Sequence, residues 1–245
     1  MALLVAGAFA GPAAAYDFCS DLQDCQRKAD AEIAAGRYER AADILVAVAD
    51  FATVGGTRDD QLSAFESLTE VNLKLHKPLM AHAWAQAALL KFEQNPRALA
   101  NLEHVLPTLS ATEPPSTLSG TYLAYAGYGY WSELKAVEQD DGLIRTEWFM
   151  LRYGLVPSAD AYGPAAFWEL TAEARLSDGN LVVRYEGRDG IPCELGFNRK
   201  GLAIEWTWPR PDELSSGCRI GGANVLPWGP FWLVDPATPD LAPPN

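Results

Sequence analysis

Residues 120 to 134 read GTYLAYAGYGYWSEL, with five aromatic side chains, three glycines and a single carboxylate. How this stretch is read decides the second half of the chain: it is either a displayed sticky surface or the inside of a β-domain. Alternation along a strand sets Tyr128 and Tyr130 on one face, as it does Trp206 and Trp208 further on. Seven of the eight tryptophans lie beyond residue 118: Trp131, Trp148, Trp168, Trp206, Trp208, Trp228 and Trp232. Rings of this size bury about 150–250 Å² each, and large apolar surfaces are seldom left open, so most of them are expected in a core. Trp228 and Trp232, in VLPWGPFWLV, sit beside Pro227, Gly229 and Pro230 and are the pair expected to be partly exposed.

Downstream, hairpin turns fall at DDG (140–142), SDGN (177–180) and RKG (199–201), between runs rich in Trp, Tyr, Val and Gly. The pattern predicts strands near 121–129, 131–138, 143–153, 166–176, 180–187, 192–197, 201–208, 218–225 and 230–234. Short strands joined in order predict an antiparallel β-domain over 119–235, either a closed barrel or a sandwich. The tail, 236–245, is expected to be disordered.

Upstream, the proline-bearing SATEPPST (110–117) marks a linker over 110–118, and before it the period changes. Apolar residues recur at three and four positions. The stripes are Leu22, Cys25, Ala29 and Ile33; Ala41, Leu45, Val48 and Ala52; Ala64, Leu68, Val71 and Leu75; Leu79, Ala83, Ala87 and Leu90; and Leu99, Leu102, Leu106 and Leu109. They predict five helices within 16–109, broken at Gly36, Gly55–Gly56, Lys77–Pro78 and Asn95–Pro96, where glycine can close a helix and proline can open one. The expected fold class is therefore α+β in two unlike parts, with stacked helical hairpins ahead of an antiparallel β-domain.

The segment AAGRYERAADIL (34–45) resembles the middle of a tetratricopeptide repeat, with Gly36 at the turn, Tyr38 opening the second helix and Ala41 at the close crossing. FEQNPRALANLEHVL (92–106) is similar to the junction between two such repeats, with Pro96 ending one unit. The pattern departs at Thr53, Val54 and the two following glycines, which stand where a proline closes a unit, and at Pro78, where an aromatic is usual. The resemblance covers about residues 20–109. It implies a helical stack with a groove for a protein or peptide and no chemistry of its own. Tyr38, His82 and Trp84 are the large side chains expected in that groove.

The first fifteen residues, MALLVAGAFAGPAAA, form a short apolar run with Ala13 and Ala15 at the spacing of an export cleavage site, although no Lys or Arg precedes the run. They predict a signal segment cut before Tyr16 and a periplasmic or secreted bacterial protein, with no integral membrane segment in the mature chain. Four cysteines suit export. Pairing within each half, Cys19 with Cys25 and Cys193 with Cys218, is the economical choice among three connectivities, and the gaps do not fit structural zinc. A net charge of −13 over 245 residues argues against a nucleic-acid partner and favours a basic one.

Catalytic patterns are sparse. His76, His82 and His104 all lie in the helical half without metal-binding spacing. SADAYGPAAFWE (158–169) lacks the oxygen ligands of a calcium loop, and TLSG (117–120) lacks the first glycine of a nucleophile elbow. Glu133, Glu147, Glu169, Glu173, Glu186 and Glu205 fall in expected strands, and no spacing selects a glycosidase pair. No catalytic residue, metal or cofactor is assigned. In general build, a small exported, disulfide-bonded, acidic and Trp-rich β-domain resembles periplasmic lysozyme inhibitors, with SSGCRIGG (215–222) as a distant counterpart of their inserting loop. The expected function is a non-enzymatic binding or adaptor protein. The alternatives are an inhibitor of a basic cell-wall hydrolase and a peptidoglycan- or glycan-active protein.

Overall fold

The computed structural model describes residues 19–109, 115–152, 166–177, 180–187, 190–208, 218 and 229–241. The expected signal segment, most of the linker, the calcium-like stretch up to residue 165, nearly all of SSGCRIGG, the strand expected near 218–225 apart from Cys218, and the last four residues lie outside that set. Five helices come first: α1 (Leu22–Ala34), α2 (Tyr38–Gly55), α3 (Arg58–Lys74), α4 (Pro78–Lys91) and α5 (Pro96–Leu109). Eight strands follow: β1 (Gly120–Gly127), β2 (Tyr130–Glu138), β3 (Leu143–Arg152), β4 (Ala166–Ser177), β5 (Asn180–Glu186), β6 (Pro192–Lys200), β7 (Ala203–Trp208) and β8 (Phe231–Asp235). Each pairs antiparallel with the next and β8 returns to β1, so the sheet is a closed barrel and not a sandwich.

Local chemistry sets the helix ends. Asp21 caps α1 by accepting the Asp24 N–H at 2.9 Å, and Thr57 and Asp60 form a reciprocal capping box on α3. Gly36, at φ +71°, turns α1 into α2, and His76, at φ +56°, turns α3 into α4. The turn hydrogen bonds at Ala35, Gly36, Arg37 and Ala41 recur residue for residue at Leu75, His76, Lys77 and Ala81. The two hairpins are therefore one structural unit repeated forty residues on, longer than the tetratricopeptide period of about 34.

Consecutive helices pack on one another and α3 also meets α5. α5 is rotated from its expected face: Ala98, Val105 and Leu109 are buried, whereas Leu99 and Leu106 are exposed. It is the last helix of the stack, and no sixth helix follows among the described residues to cover those two leucines.

The barrel interior is a packed core. Tyr122, Leu134, Ile144, Trp148, Phe197 and Phe231 all point inward and are buried, with Trp148 stacked on Phe197 at 4.8 Å between ring centres. The Trp148 indole N–H donates to Thr146 Oγ1 at 2.8 Å, and that hydroxyl donates to the Ala172 carbonyl, so the polar groups on the inward face are satisfied. On the outer face Arg145, Glu173, Arg184 and Glu194 stand opposite one another across β3 to β6, a ladder of alternating charge. Disulfides join Cys19 to Cys25 and Cys193 to Cys218, with Cα separations of 5.1 and 5.6 Å.

The outer face of β8, β1 and β2 packs on the helices, chiefly on α4. Two glycines permit the approach: a Cβ on Gly129 would lie 2.8 Å from the Val46 carbonyl oxygen of α2, and one on Gly229 would lie 2.7 Å from Leu90 of α4. Gly129 also holds φ +81°. Gly129→Ala is expected to lower the unfolding free energy by about 2 kcal/mol, the sum of left-handed strain and the backbone clash. A urea titration showing less than about 0.5 kcal/mol, within the usual scatter for surface changes, would mean that the hairpin tip lifts freely off α2.

Candidate functional site

The candidate site is the seam between helices and barrel. α4, PLMAHAWAQAALLK, buries Leu79, Ala81, His82, Ala83, Trp84, Ala85, Ala87 and Ala88, so it is covered around most of its circumference, with Leu90 and Lys91 left exposed at its end. Trp84 lies at the centre, meeting Phe65 of α3 at 5.7 Å, Tyr125 of β1 at 6.1 Å and Trp131 of β2 at 4.7 Å, each edge to face. Tyr125 and Trp131 are a cross-strand pair facing away from the barrel core, with ring centres 5.3 Å apart. Phe65 also touches Tyr125 at 5.3 Å and Phe92 at 6.1 Å.

Two buried polar atoms in this seam have no hydrogen-bond partner, His82 Nδ1 and Trp131 Nε1. The Gln86 amide nitrogen lies 3.1 Å from His82 Nε2. Donation from that nitrogen to Nε2 leaves the imidazole proton on the orphaned Nδ1. Burial pushes the His82 pKa down to about 4, and the ring of half-buried Trp232 on β8 stands edge-on at 5.0 Å. At the other end of the seam, burial raises the Asp50 carboxyl of α2 to about 6. The same burial, aided by the Asp50 charge, lifts the phenols of Tyr125 and Tyr128 above their ordinary range.

The structure therefore gathers His82, Trp84 and Trp232 at one seam but corrects the expected setting of the first two. Trp84 is 2% exposed and His82 4%, covered by the barrel instead of lining an open groove. The reason is that α4 is the docking helix for the β-domain. Tyr38 stands apart from them, half-buried at the start of α2 against the helical core. All of Trp228 and the side chains of Trp168 and Trp208 lie outside the described residues. Tyr128, expected in a strand beside Tyr130, occupies the β1–β2 turn at φ +54°.

Phe65, Tyr125, Trp131 and Asp50 are the seam residues that the sequence reading did not single out. Their signal was available in α4, which has no polar stripe, and in β1, where both alternating faces carry large apolar rings. The six strand glutamates point away from the barrel core and are dispersed. Glu133 pairs with Lys135 at 3.3 Å, Glu205 with Lys200 at 2.5 Å, and Glu173 stands in register between Arg145 and Arg184. Ser119 accepts the Glu138 N–H at 3.0 Å, which gives TLSG a structural use. His76 is an exposed turn residue, and His104 is exposed and lies 3.2 Å from Glu70. Among the described residues no three of His, Cys, Asp and Glu converge as metal ligands. No family model, curated protein or solved structure matches the chain.

Proposed function

We propose that the protein is an exported, non-enzymatic binding protein. In this reading the tetratricopeptide-like stack holds a protein or peptide on the face of α3 and α5, and the barrel braces the opposite face. The observation that carries the reading is the one-sided docking. The barrel takes up α4 and the Val46 region of α2, while α3 and α5 present a polar surface bridged by their own side chains. Arg97 of α5 pairs with Glu66 of α3 at 2.6 Å, Asn101 donates to Thr69 at 3.0 Å and His104 lies 3.2 Å from Glu70. Such a surface has directional donors and acceptors at helical spacing, which suits recognition of a peptide backbone. The two disulfides suit an oxidising compartment, and no described helix is long and apolar enough to cross a membrane.

A photoreactive residue placed at Glu70 on α3, compared with one at Glu173 on the barrel, tests this in cells of an exporting host. A discrete adduct from position 70, lost with Arg97→Glu, is the expected result. Adducts from position 173 alone would overturn it. The second reading, an inhibitor of a basic cell-wall hydrolase, is supported by the closed disulfide-bonded barrel and the charge of −13. It predicts salt-sensitive slowing of purified lysozyme by micromolar protein, and an unchanged rate removes it.

A further inference from the structure

We infer that the outer face of α5, built by Leu99, Glu103 and Leu106, docks an α-helix of another protein, one that carries apolar residues a heptad apart with a lysine or arginine between them. This face is turned away from the row of α5 side chains bridged to α3, and the inference does not depend on a peptide lying along that row.

The helical repeat supplies the geometry. α3 and α5 open alike: the Gln61 N–H donates to the Thr57 carbonyl and the Leu99 N–H to the Asn95 carbonyl, so Thr57 matches Asn95 and the two helices can be laid residue on residue. In α3, Leu62, Phe65, Leu68 and Thr69 are buried, and Phe65 meets Trp84 of α4, the helix that completes the hairpin. The matching residues of α5, Ala100, Glu103, Leu106 and Pro107, are all exposed. α5 therefore stands as the first helix of a third hairpin, and no second helix accompanies it among the described residues. Only residues 110–119 separate α5 from β1, fewer than the 14 residues of α4. A helix laid on this face comes from outside the stack.

Charge selects the occupant. Arg97 pairs with Asp59 and Glu66, and His104 lies against Glu70, which leaves Glu103 as the charged side chain of α5 with no ion pair among the described residues. It sits between Leu99 and Leu106 on the exposed face, at the position where α3 has Phe65. Pro107 has no N–H to offer the Glu103 carbonyl, so the helical ladder is open at the same turn. An apolar stripe with a carboxylate at its middle is complementary to a helix with a cation between two apolar side chains. A second copy of this chain is a poor match, because two α5 helices paired about a twofold axis set their Glu103 carboxylates against each other, and each copy carries a charge of −13. The C-terminal tail is no better, since Asp235, Pro236, Pro239 and Asp240 supply neither a cation nor a helix.

The test uses the full chain and two fluorescein-labelled probe peptides of the α4 sequence, residues 77–92. A hydrocarbon staple between positions 86 and 90, opposite the face of Trp84, holds them helical, which circular dichroism checks. One peptide carries Trp84→Lys and the other Trp84→Glu. By fluorescence anisotropy the Trp84→Lys peptide is expected to bind the wild type with Kd on the order of 10–100 μM, and the Trp84→Glu peptide about tenfold more weakly. Glu103→Lys is expected to reverse that preference, and Leu106→Asp to weaken both peptides by about tenfold or more. Both substitutions fall on exposed positions, so the fold is retained. Three results overturn the inference: neither stapled peptide binds the wild type at about 1 mM, the preference for the Trp84→Lys peptide survives Glu103→Lys, or the wild type sediments as a dimer that Leu106→Asp converts to monomer. The last would assign the face to a second copy of this chain.

Discussion

Trp84→Ala is expected to lower the unfolding free energy by about 3–5 kcal/mol, the range for removing a fully buried large aromatic ring. The loss is large because the ring serves both halves at once. It closes the helical core against Phe65 and forms the contact surface for Tyr125 and Trp131 of the barrel. Its removal also leaves a void that neither side can fill without moving a secondary-structure element. In urea, circular dichroism of the helices and fluorescence of the barrel tryptophans should report one transition in the wild type and two in the variant, because the seam is what couples the halves. Trp232→Ala, which truncates a half-buried ring on the same seam, is expected to cost only about 1 kcal/mol. A Trp84→Ala loss as small as that of Trp232→Ala would show that the seam is not an energetic junction.

The second large effect is on pH dependence. His82 has its folded pKa pushed down to about 4 from an ordinary value of about 6.5, so the unfolded chain takes up the proton first as pH falls. Stability is full above about pH 6.5, declines through the window, and levels off below about pH 4, a loss on the order of 3 kcal/mol. Asp50 acts in the opposite sense. Its folded pKa is raised to about 6, so the folded chain takes up the proton first and stability rises as pH falls from about 6 towards the ordinary carboxylate value. The two effects oppose each other in the wild type.

His82→Phe keeps a ring against Trp232 and removes the first effect, whereas Asp50→Asn removes the second. Denaturant titrations at pH 7 and pH 4.5 should show Asp50→Asn losing more stability on acidification than wild type, and His82→Phe losing less. Contributions from other carboxylates are common to all three proteins and cancel in the comparison. Parallel pH profiles for the three proteins would rule out burial of His82 and Asp50 as the source of this dependence.

The architecture was largely legible because it rests on local rules. The change from a period of three and four to alternation near residue 118, the turn signals at Gly142 and Gly201, and the capping and breaking residues between helices each act over a few positions. The cysteine pairing follows the same division, since each disulfide joins residues within one half. The site was less legible. The resemblance to tetratricopeptide repeats directs attention to large side chains on the helices as groove residues. It carries no information about a second domain that covers the α4 face, so it places Trp84 and His82 on an open side that the barrel in fact covers.

The sequence by itself determined five helices, an antiparallel β-domain made of short strands and the two-part division, because periodicity and turn chemistry are properties of neighbouring residues; it left the cysteine pairing as one choice among three, which the structure decided. The tertiary structure alone decided that the sheet closes on itself, that α4 is covered around most of its circumference, that Tyr125 and Trp131 face the helices, and that Asp50 is partly buried. Each of these depends on which surfaces meet across more than forty residues of chain. Burial and desolvation, which set the properties of His82 and Asp50, exist only after those surfaces have met.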